Sequence, residues 1–339
     1  MSFPKELNGS HSYLAQHLTP EVWESLQGLE TSLGFKVQDL ISTGIKNPDS
    51  SVGLYLPDQE SFALFAPLVE PVIVSCHKRP IPNEQPFDFP IESDLQDLQD
   101  GRILSTRIRV ARNLTDFPLP SGLKAFERLE VEALVREACL ELTGELKGDY
   151  VSVVDLSPEA QDKMRAEHLL FQEPDRFLID GKIANDWPQG RGVFSNQDHS
   201  FMVWVNEEDH LRIMALVDGG ALKKAARILA TGLKALDEKL GFMKDDRLGY
   251  LASCPSNLGT GMRASVHAQL PIMAANLDQT KKMAVELGLQ VRGSAGEHSD
   301  VDQATLDISN QHRLGLSELE ILQTLSLGIK EILKAEEKG

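Results

Sequence analysis

The chain has 339 residues, more than the roughly 250 to 300 that a single hydrophobic core usually serves, so we expect two unequal domains. Hydrophobic residues make up 41% and charged residues 25%, which is typical of a globular protein and excludes disordered, collagen-like and coiled-coil chains. The 34 basic and 51 acidic residues give a net charge of −17, which repels phosphate backbones and anionic lipids, so neither nucleic acid nor a membrane is an expected partner.

Cysteine usage and the N-terminal sequence predict a cytoplasmic protein. Cys76, Cys139 and Cys254 are too few and too scattered for a disulfide framework or a zinc cluster, which favours a reducing compartment. The first residues contain no cationic stretch followed by an apolar one. No apolar run approaches the ~20 residues that cross a bilayer.

The first part of the chain is predicted to form a helical domain. Thr19 and Pro20 have the residue types of an N-cap and a first helical position, and an apolar helical stripe follows at Val22, Leu26, Leu29 and Leu33. The segment 80–101 has four prolines and an acidic end, which is typical of a connection. We therefore place a domain boundary near residue 95 and expect domains at 1–95 and 96–339.

The second part is predicted to mix strands with helices. Short β-branched or alternating runs predict strands at 151–156, 201–205, 211–217 and 265–271. The clearest helix covers 221–241 and ends at Gly241, and another begins at the capping box of Ser317 and Glu320. These patterns predict a mixed α/β or α+β domain, and the chain has neither a P-loop nor a GxGxxG motif.

Arginines are concentrated in this second part. Arg79 is the single arginine among the first hundred residues, so a site that needs several guanidinium groups belongs to the rest of the chain. In the segment 103–113, Arg107 and Arg109 share one face if the segment is extended, and Arg112 is nearby. Two such side chains suit an oxyanion, although a solvated basic strand edge is the alternative for this segment alone.

An acidic cluster lies between two predicted strands. In the segment 204–213, Glu207, Glu208 and Asp209 are followed by His210 and Arg212. An exposed polar hairpin is one interpretation, because loops between strands are normally polar. The other is a carboxylate and an arginine at the rim of a sheet, one for a cation and one for an anion. No second His or Cys stands at zinc-ligand spacing.

A lone cysteine lies in a glycine-rich turn. The segment 253–267 contains Cys254, several turn-forming residues, Arg263 and His267. Free cysteine is most often a small buried hydrophobe, and His267 equally suits a hydrogen-bonded strand position. A thiol on a tight loop near arginine, however, favours a lowered pKa and thiolate character.

The segment 290–315 is predicted to contain a mobile loop. Arg292 and Glu297 lie beside Gly293 and Gly296, and about ten residues lack apolar periodicity. Loops of that length often cover a site, although a plain surface loop is an equal alternative.

These segments together place arginines beside carboxylates and one thiol, which suits a site for an anionic phosphate and a cationic acceptor. Here the chain resembles the phosphagen kinases, the ATP:guanidino phosphotransferases, and among them the arginine kinases most. The resemblance covers nearly the full length of the chain. Six stretches of this sequence match stretches of the family, in the same order and at the same spacing. They are STRIRVAR (105–112), WPQGRGVF (187–194), WVNEEDHLRI (204–213), CPSNLGTGMRASVH (254–267), VRGSAGEHSD (291–300) and DISNQHRLGL (307–316).

The resemblance implies a fold and a nucleotide site. The implied fold class is α+β, with a small all-helical N-terminal domain and a larger domain whose antiparallel sheet is flanked by helices. By similarity, the ATP phosphates would be clamped by Arg107, Arg109, Arg212, Arg263 and Arg292. The nucleoside end would be lined by Ser105, His168, His267 and Asp307. Mg²⁺ would bridge the phosphate oxygens, held by nucleotide and water without a protein ligand.

The resemblance also implies an acceptor site. Glu208 and Glu297 match the family's acidic pair, which would grip the guanidinium and help to remove its proton, with Cys254 pairing as thiolate with a non-reacting nitrogen. The stretch 49–55 resembles the short specificity loop of arginine kinases. Three of its residues match those that hold the amino-acid end of the substrate, namely Ser50, Val52 and Tyr55. A half-buried core tyrosine is the alternative for Tyr55.

The implied activity is reversible transfer of the ATP γ-phosphoryl group to free L-arginine, giving phosphoarginine and ADP. ATP, ADP and L-arginine are then the expected partners, and the protein is expected to be a monomer or a homodimer. The alternatives are a kinase of another guanidine such as taurocyamine, a protein-arginine kinase, a cysteine-nucleophile guanidino hydrolase that needs no ATP, and an inactive nucleotide sensor.

Three positions depart from the family's usual pattern. Ser51 stands where the specificity loop usually has glycine, Ala295 where animal arginine kinases often have arginine, and Gly261 in place of a threonine. Ala295 removes a phosphate contact that an arginine would offer, and Ser51 is expected to influence the acceptor preference. A glycine at position 261 is a point of similarity to the bacterial protein-arginine kinases. Those kinases, however, lack the N-terminal helical domain.

Overall fold

The structure is a computed structural model that describes residues 2–89, 95–293 and 304–338. Short helices follow one another in the first of these ranges. They are α1 (Tyr13–His17), α2 (Pro20–Leu26), α3 (Val37–Lys46), α4 (Glu60–Leu64) and α5 (Ala66–His77), preceded by a 3-10 turn at Lys5–Leu7. Among the described residues, no helix is both long and apolar enough to cross a membrane.

Helix α2 begins as predicted and ends earlier. The Thr19 hydroxyl accepts a hydrogen bond from the amide of Val22 at 3.3 Å, and proline occupies the first turn. The helix ends at Leu26, because Gly28 takes a φ of +83° and turns the chain. Placing Leu29 and Leu33 on this helix was therefore wrong, and Leu33 is exposed.

Ten strands and seven further helices make up the rest of the described chain. The strands are β1 (Ile103–Arg112), β2 (Gly148–Ser152), β3 (Gly192–Asn196), β4 (Phe201–Val205), β5 (Leu211–Asp218), β6 (Lys244–Asp245), β7 (Gly249–Tyr250), β8 (Met262–Gln269), β9 (Leu289–Gly293) and β10 (Thr305–Asn310). The helices are α6 (Ala125–Leu140), α7 (Pro158–Ala166), α8 (Arg176–Asp180), α9 (Leu222–Leu240), α10 (Pro271–Ala275), α11 (Leu277–Glu286) and α12 (Glu318–Lys338).

Eight strands form one antiparallel sheet in the order β2-β3-β4-β5-β1-β8-β10-β9. With the helical first part and the helices around the sheet, this arrangement confirms the expected α+β fold class. The predicted boundary near residue 95 stays a prediction.

The two faces of the sheet differ in chemistry. Because side chains alternate along a strand, Ile108 and Val110 of β1 point to the face opposite Arg107 and Arg109. The face with Ile108 and Val110 packs into the largest apolar core, to which α6, α9 and α12 contribute. The sheet therefore has one face closed by helices. The other face carries the polar side chains of β1 and, toward β3 and β4, a smaller apolar cluster that includes Val193, Met202, Trp204 and Met214.

The helices on the apolar face have the predicted ends. Gly241, with a φ of +63°, caps α9, whose buried residues include Leu229, Leu233 and Leu236. Before α12, the amide of Glu320 donates to the Ser317 hydroxyl at 3.2 Å, and the amide of Ser317 donates to the Glu320 carboxylate at 2.8 Å. This reciprocal pair is the predicted capping box.

One predicted strand is displaced in the structure. The strand expected at 151–156 lies at Gly148–Ser152, because the chain then closes a 3-10 turn at Val153–Asp155. The segment 290–315 also contains β9 and β10, which were not predicted because their alternation is too short to detect from the sequence. The loop predicted within this segment stays a prediction, because residues 294–303 lie outside the described residues.

A second apolar core fills the helical first part, and later residues complete it. Side chains of α1, α2, α3 and α5 pack there with six from beyond residue 100, namely Leu119, Met243, Leu248, Leu251, Leu258 and Leu314. The backbone continues the contact, since the amide of Leu56 donates to the carbonyl of Ser253 at 2.8 Å and that of Leu119 to Pro57 at 2.9 Å. The two parts therefore meet along a shared interior.

Candidate active site

Five arginines share the open face of the sheet. Arg109 in β1 lies directly opposite Arg263 in β8, and Ala111 lies opposite Arg212 in β5, so these residues point the same way. Arg107 follows by alternation along β1. Arg292 in β9 lies opposite Asp307, which lies opposite His267 on the same face of β8. Five guanidinium groups from four sequence segments therefore line one surface.

Neighbouring side chains orient several of these arginines. Arg263 donates to the Asp307 carboxylate at 2.7 Å and to the Ser309 hydroxyl at 3.3 Å. Arg212 donates to Glu207 at 2.9 Å and also pairs with Glu208. Partly buried ion pairs of this kind restrict the guanidinium groups to defined positions before any ligand binds.

Other side chains contact Arg107 and Arg292. Arg107 donates to the Met214 sulfur at 3.1 Å, and its guanidinium carbon lies 5.6 Å from the centre of the Trp204 ring. Arg292 donates to the side-chain oxygen of Gln290 at 3.4 Å. Arg112 belongs elsewhere: it is buried, donates to the carbonyls of Ala111 and Thr260, and lies over the Tyr250 ring.

Among the described residues, the arginines of this face lie close enough together to lower one another's pKa. Burial, followed by the charge of Arg263, lowers the pKa of Arg107 to about 10. Burial and the nearby Arg212 hold the pKa of Arg109 well below its usual value. Like charges gathered in a partly dry site are relieved by a bound polyanion, so this surface suits a string of phosphates.

A second group lies at one end of the arginine face. Ser105 in β1 is near His267 in β8 in the strand register, and His267 is opposite Asp307 in β10. His168 follows α7 with a φ of +58° and is exposed. Burial is the main cause that lowers the pKa of His267, and the charges of Arg107 and His168 add to it, so His168 lies within electrostatic range of His267. Ser105, His267 and Asp307 therefore meet at this end of the face, with His168 in the same region.

The acidic hairpin between β4 and β5 is not an exposed turn. Asp209 and His210 are completely buried, and Glu207 and Glu208 are partly buried, so that interpretation was wrong. Burial, together with the charge of Glu208, raises the pKa of Asp209 to about 7. The sequence could not show this, because the covering residues come from distant segments.

The two glutamates of this hairpin face different neighbours. Glu208 is the charge that, after burial, most raises the pKa of both Tyr55 and Cys254. Glu207 instead acts on the pKa of Arg107 and Arg109, where its negative charge opposes the effect of burial. Glu208 therefore lies toward the thiol and the N-terminal loop, and Glu207 toward the arginines.

The surroundings of Cys254 disfavour the thiolate. Burial, followed by the charge of Glu208, raises its pKa to about 12, and its sulfur lies 3.1 Å from the Ser256 hydroxyl. The expected lowered pKa was wrong for the protein without ligands, because desolvation and a nearby carboxylate both oppose a thiolate. A cationic ligand beside the sulfur would act in the opposite direction.

Arg313 belongs to the same region and was missed by sequence reasoning. It donates to the carbonyl of Ser256 at 2.6 Å and to the side-chain oxygen of Asn257 at 3.2 Å. Burial, followed by the charges of Arg263 and Arg292, lowers its pKa to about 10. Its place three residues after β10, inside a stretch shared with the family, was the available signal.

The N-terminal loop reaches the same region. The Ser50 hydroxyl accepts a hydrogen bond from the amide of Gly53 at 3.0 Å, and the carbonyl of Val52 accepts one from Leu14 at 3.0 Å. Tyr55 is half-buried and in electrostatic contact with Glu208 and Cys254. These contacts fix the loop between α1 and α3, with the tyrosine toward the hairpin.

Gly261 is explained by its local geometry. It has a φ of +63°, and a Cβ atom there would lie 2.9 Å from the carbonyl oxygen of Ala111 and 3.1 Å from the Arg112 guanidinium. A β-branched residue is strained in this conformation. Glycine at this position therefore fits the approach of the turn to β1.

Replacing Gly261 with threonine is expected to lower the free energy of unfolding by about 2 kcal/mol or more, from backbone strain and crowding together. Urea unfolding monitored by circular dichroism measures this loss. Gly101→Thr is the matched control, because no atom lies within 4 Å of a Cβ built there. Equal stability of the two variants would contradict the explanation.

Two assigned positions lie outside the described residues. Glu297, the second acid of the expected pair, and Ala295 fall in the segment 294–303. Among the residues that the structure describes, no group of three or more His, Cys, Asp and Glu side chains is arranged to hold a metal ion.

Comparisons with known proteins agree with this geometry. Residues 8–74 match the family model "ATP:guanido phosphotransferase, N-terminal domain", and residues 130–339 match "ATP:guanido phosphotransferase, C-terminal catalytic domain". An arginine kinase of Liolophura japonica is 42% identical over 334 residues, covering 96% of this chain and 95% of the relative. An arginine kinase of Penaeus vannamei (Lit v 2.0101) is 40% identical over 333 residues, covering 96% and 93%.

Solved structures show the same fold. A lombricine kinase superposes with a TM-score of 0.92 at 35% identity, covering 99% of this chain and 94% of that one. The substrate-free duplicated taurocyamine kinase of Schistosoma mansoni superposes with a TM-score of 0.90 at 33% identity, covering 98% of this chain and 48% of that one.

Proposed function

Because the chain belongs to the ATP:guanido phosphotransferase family, we propose that it transfers the γ-phosphoryl group reversibly between ATP and free L-arginine. The observation that carries this proposal is the meeting of two surfaces of opposite charge. Five arginines line one face of the sheet, and Glu208, Tyr55 and Cys254 lie beside it. An anionic donor and a cationic acceptor can then be held side by side.

The arginine face is the proposed site for the ATP phosphates. In phosphoryl transfer, charge develops on the oxygens of the transferred group and the leaving group, and fixed cations stabilise it. Arg263 and Arg212 are already oriented by carboxylates, so little reorganisation accompanies the reaction. Mg²⁺ would enter with the nucleotide as part of the substrate and would neutralise part of the phosphate charge, next to the arginines that hold the phosphates.

The nucleoside is proposed to lie at the end formed by Ser105, His168, His267 and Asp307. Asp307 differs from the other three, because its carboxylate also orients Arg263. It therefore links the nucleoside end to the phosphate clamp.

The acceptor guanidinium is proposed to lie between Glu208 and Cys254. A guanidinium is a weak nucleophile, because its pKa is above ~12 and its lone pairs are delocalised. A carboxylate can orient one nitrogen and take its proton as the phosphorus–nitrogen bond forms. The positive charge of a bound guanidinium lowers the pKa of the Cys254 thiol. The resulting thiolate can then pair with a second nitrogen of the guanidinium.

The N-terminal loop is proposed to select the acceptor. Ser50, Val52 and Tyr55 would hold the amino-acid end of arginine through hydrogen bonds, with Glu297 as a second acid at the guanidinium. The 40–42% identity to arginine kinases favours L-arginine. Lombricine and taurocyamine kinases with the same fold make other guanidines the second candidates.

An assay with a panel of acceptors tests the substrate. We expect ADP formation from ATP and Mg²⁺ to be fastest with L-arginine and slower with taurocyamine, lombricine and creatine. A coupled spectrophotometric assay measures kcat/KM for each. A higher kcat/KM for another guanidine would replace arginine in the proposal, whereas inactivity with every free guanidine would overturn it.

Two further assays separate the alternatives. A protein-arginine kinase forms acid-labile phosphoarginine on a protein acceptor, whereas the proposal expects none. A cysteine hydrolase releases ammonia or urea from guanidines without ATP. We expect no such release here.

A further inference from the structure

Asn113 lies directly after β1 and is completely buried. Its side-chain nitrogen donates to the Asp209 carboxylate at 2.9 Å and to the carbonyl of Leu251 at 2.9 Å. Its side-chain oxygen accepts from the amide of His210 at 2.8 Å. Both donors and the acceptor of this amide are therefore used inside the protein.

These contacts reach two separate elements of the acceptor side. Asp209 and His210 follow Glu208 directly in the hairpin, and Leu251 lies three residues before Cys254. The backbone strengthens the same junction, because the amide of Leu114 donates to the ring of His210 at 3.1 Å. One buried side chain thus connects the carboxylate hairpin to the thiol segment.

The third acceptor-side element is attached to this junction through the thiol segment. The carbonyl of Ser253 accepts a hydrogen bond from the amide of Leu56, the residue after Tyr55, at 2.8 Å. The segment 251–254 therefore lies between Asn113 on one side and the N-terminal loop on the other. Displacing this segment would change the spacing between Tyr55, Glu208 and Cys254.

We propose that Asn113 is a positioning residue for the guanidino acceptor, which sets the separation of Glu208 and Cys254 without touching the substrate. This inference rests on the proposed function. Asn206 holds the opposite side of the same hairpin, donating to the carbonyl of Arg128 at 3.0 Å and of Gly190 at 2.7 Å. The hairpin is thus fixed between two asparagines, and Asn113 is the one that also bonds the thiol segment.

Removing the Asn113 amide leaves unsatisfied groups in the interior. The second carboxylate oxygen of Asp209 has no hydrogen-bond partner among the described residues, so loss of Asn113 leaves a buried carboxyl without a side-chain donor. Burying such a group is unfavourable, and the hairpin is expected to shift until the carboxyl meets water. A displacement of about 1 Å is enough to slow a reaction on the order of a hundredfold.

The test compares Asn113→Ala with Asn196→Ala. Asn196 is also buried and holds the neighbouring β3–β4 hairpin through the same pattern of bonds, donating to Glu145 and Ser200 and accepting from Phe201. That hairpin lies at the other end of β4 from Glu208. The two substitutions therefore remove buried amides that hold the hairpins at opposite ends of β4.

Steady-state kinetics with each substrate varied in turn distinguish positioning from general destabilisation. For Asn113→Ala we expect kcat/KM for the guanidino acceptor to fall on the order of tenfold to a hundredfold, while KM for ATP changes less than about twofold. Asn196→Ala is expected to lose thermal stability to a similar extent. Its kcat/KM for the guanidino acceptor and its KM for ATP are expected to stay unchanged. If Asn113→Ala does not fold, Asn113→Ser, which retains one hydroxyl, replaces it.

Three outcomes would overturn the inference. The first is an unchanged kcat/KM for the guanidino acceptor in the Asn113 variants. The second is a change in KM for ATP as large as that in KM for the acceptor. The third is an equal loss of kcat/KM for the acceptor in Asn196→Ala. The wild-type protein in the same assay separates this failure from that of the proposed function, because only the latter leaves the wild type inactive with L-arginine.

Discussion

Replacing Arg263 with alanine is expected to lower kcat about a thousandfold or more. Arg263 lies at the centre of the arginine face, opposite Arg109 and bonded to Asp307 at 2.7 Å and Ser309 at 3.3 Å. Its loss removes a fixed cation from the developing phosphate charge, and such groups contribute factors of about 10² to 10⁵. It also removes the guanidinium that donates to the buried Asp307 carboxylate.

Two variants test whether charge or geometry is responsible. Arg263→Lys keeps the charge but not the planar fork, so we expect an intermediate loss. Arg227→Ala removes an arginine of α9, on the other face of the sheet, where it pairs with Glu145, and is expected to leave kcat unchanged. Activity of Arg263→Ala within tenfold of wild type, with the fold intact by circular dichroism, would refute the phosphate clamp.

Replacing Glu208 with glutamine is expected to lower kcat on the order of a hundredfold and to raise KM for the guanidino acceptor. The substitution keeps the size of the side chain but removes its charge and its ability to take a proton. Glu208 is the hairpin acid that acts on Tyr55 and Cys254, so the effect should fall on the acceptor. Initial rates with arginine and ATP varied separately measure it.

Glu207→Gln is the matched control for this change. Both glutamates pair with Arg212, but Glu207 lies toward Arg107 and Arg109. We expect its replacement to change KM for the acceptor less than Glu208→Gln does. If the two variants have the same acceptor defect, Glu208 has no special role at the guanidinium.

Several elements of the catalytic part could be predicted from the sequence because their signals are local. The short apolar run at 201–205 predicts β4 to the residue, and the leucine stripe predicts α9 to within one residue at each end. The spacing of Arg107 and Arg109 puts both on one face once β1 is extended. Their partners Arg263 and Arg292 could be added only by resemblance, since strand pairing depends on contacts between distant segments.

The state of the site could not be predicted, because burial is set by the whole fold. Cys254 lies on a turn near arginine in the sequence, yet its folded surroundings include Glu208 and little water. Asp209 and His210 look exposed between two strands, yet Asn113, at the end of β1, bonds to both. Glu297 as the second acid stays a prediction.

The shared interior between the helical part and the later leucines has a consequence for denaturation. Melting the helices of the first part would uncover Leu119, Leu251 and Leu258, which are buried against them. Exposing these apolar side chains to water is unfavourable. Unfolding of the first part therefore lowers the stability of the second part. The protein should thus lose its N-terminal loop and its arginine face in a single cooperative transition on heating, rather than one after the other.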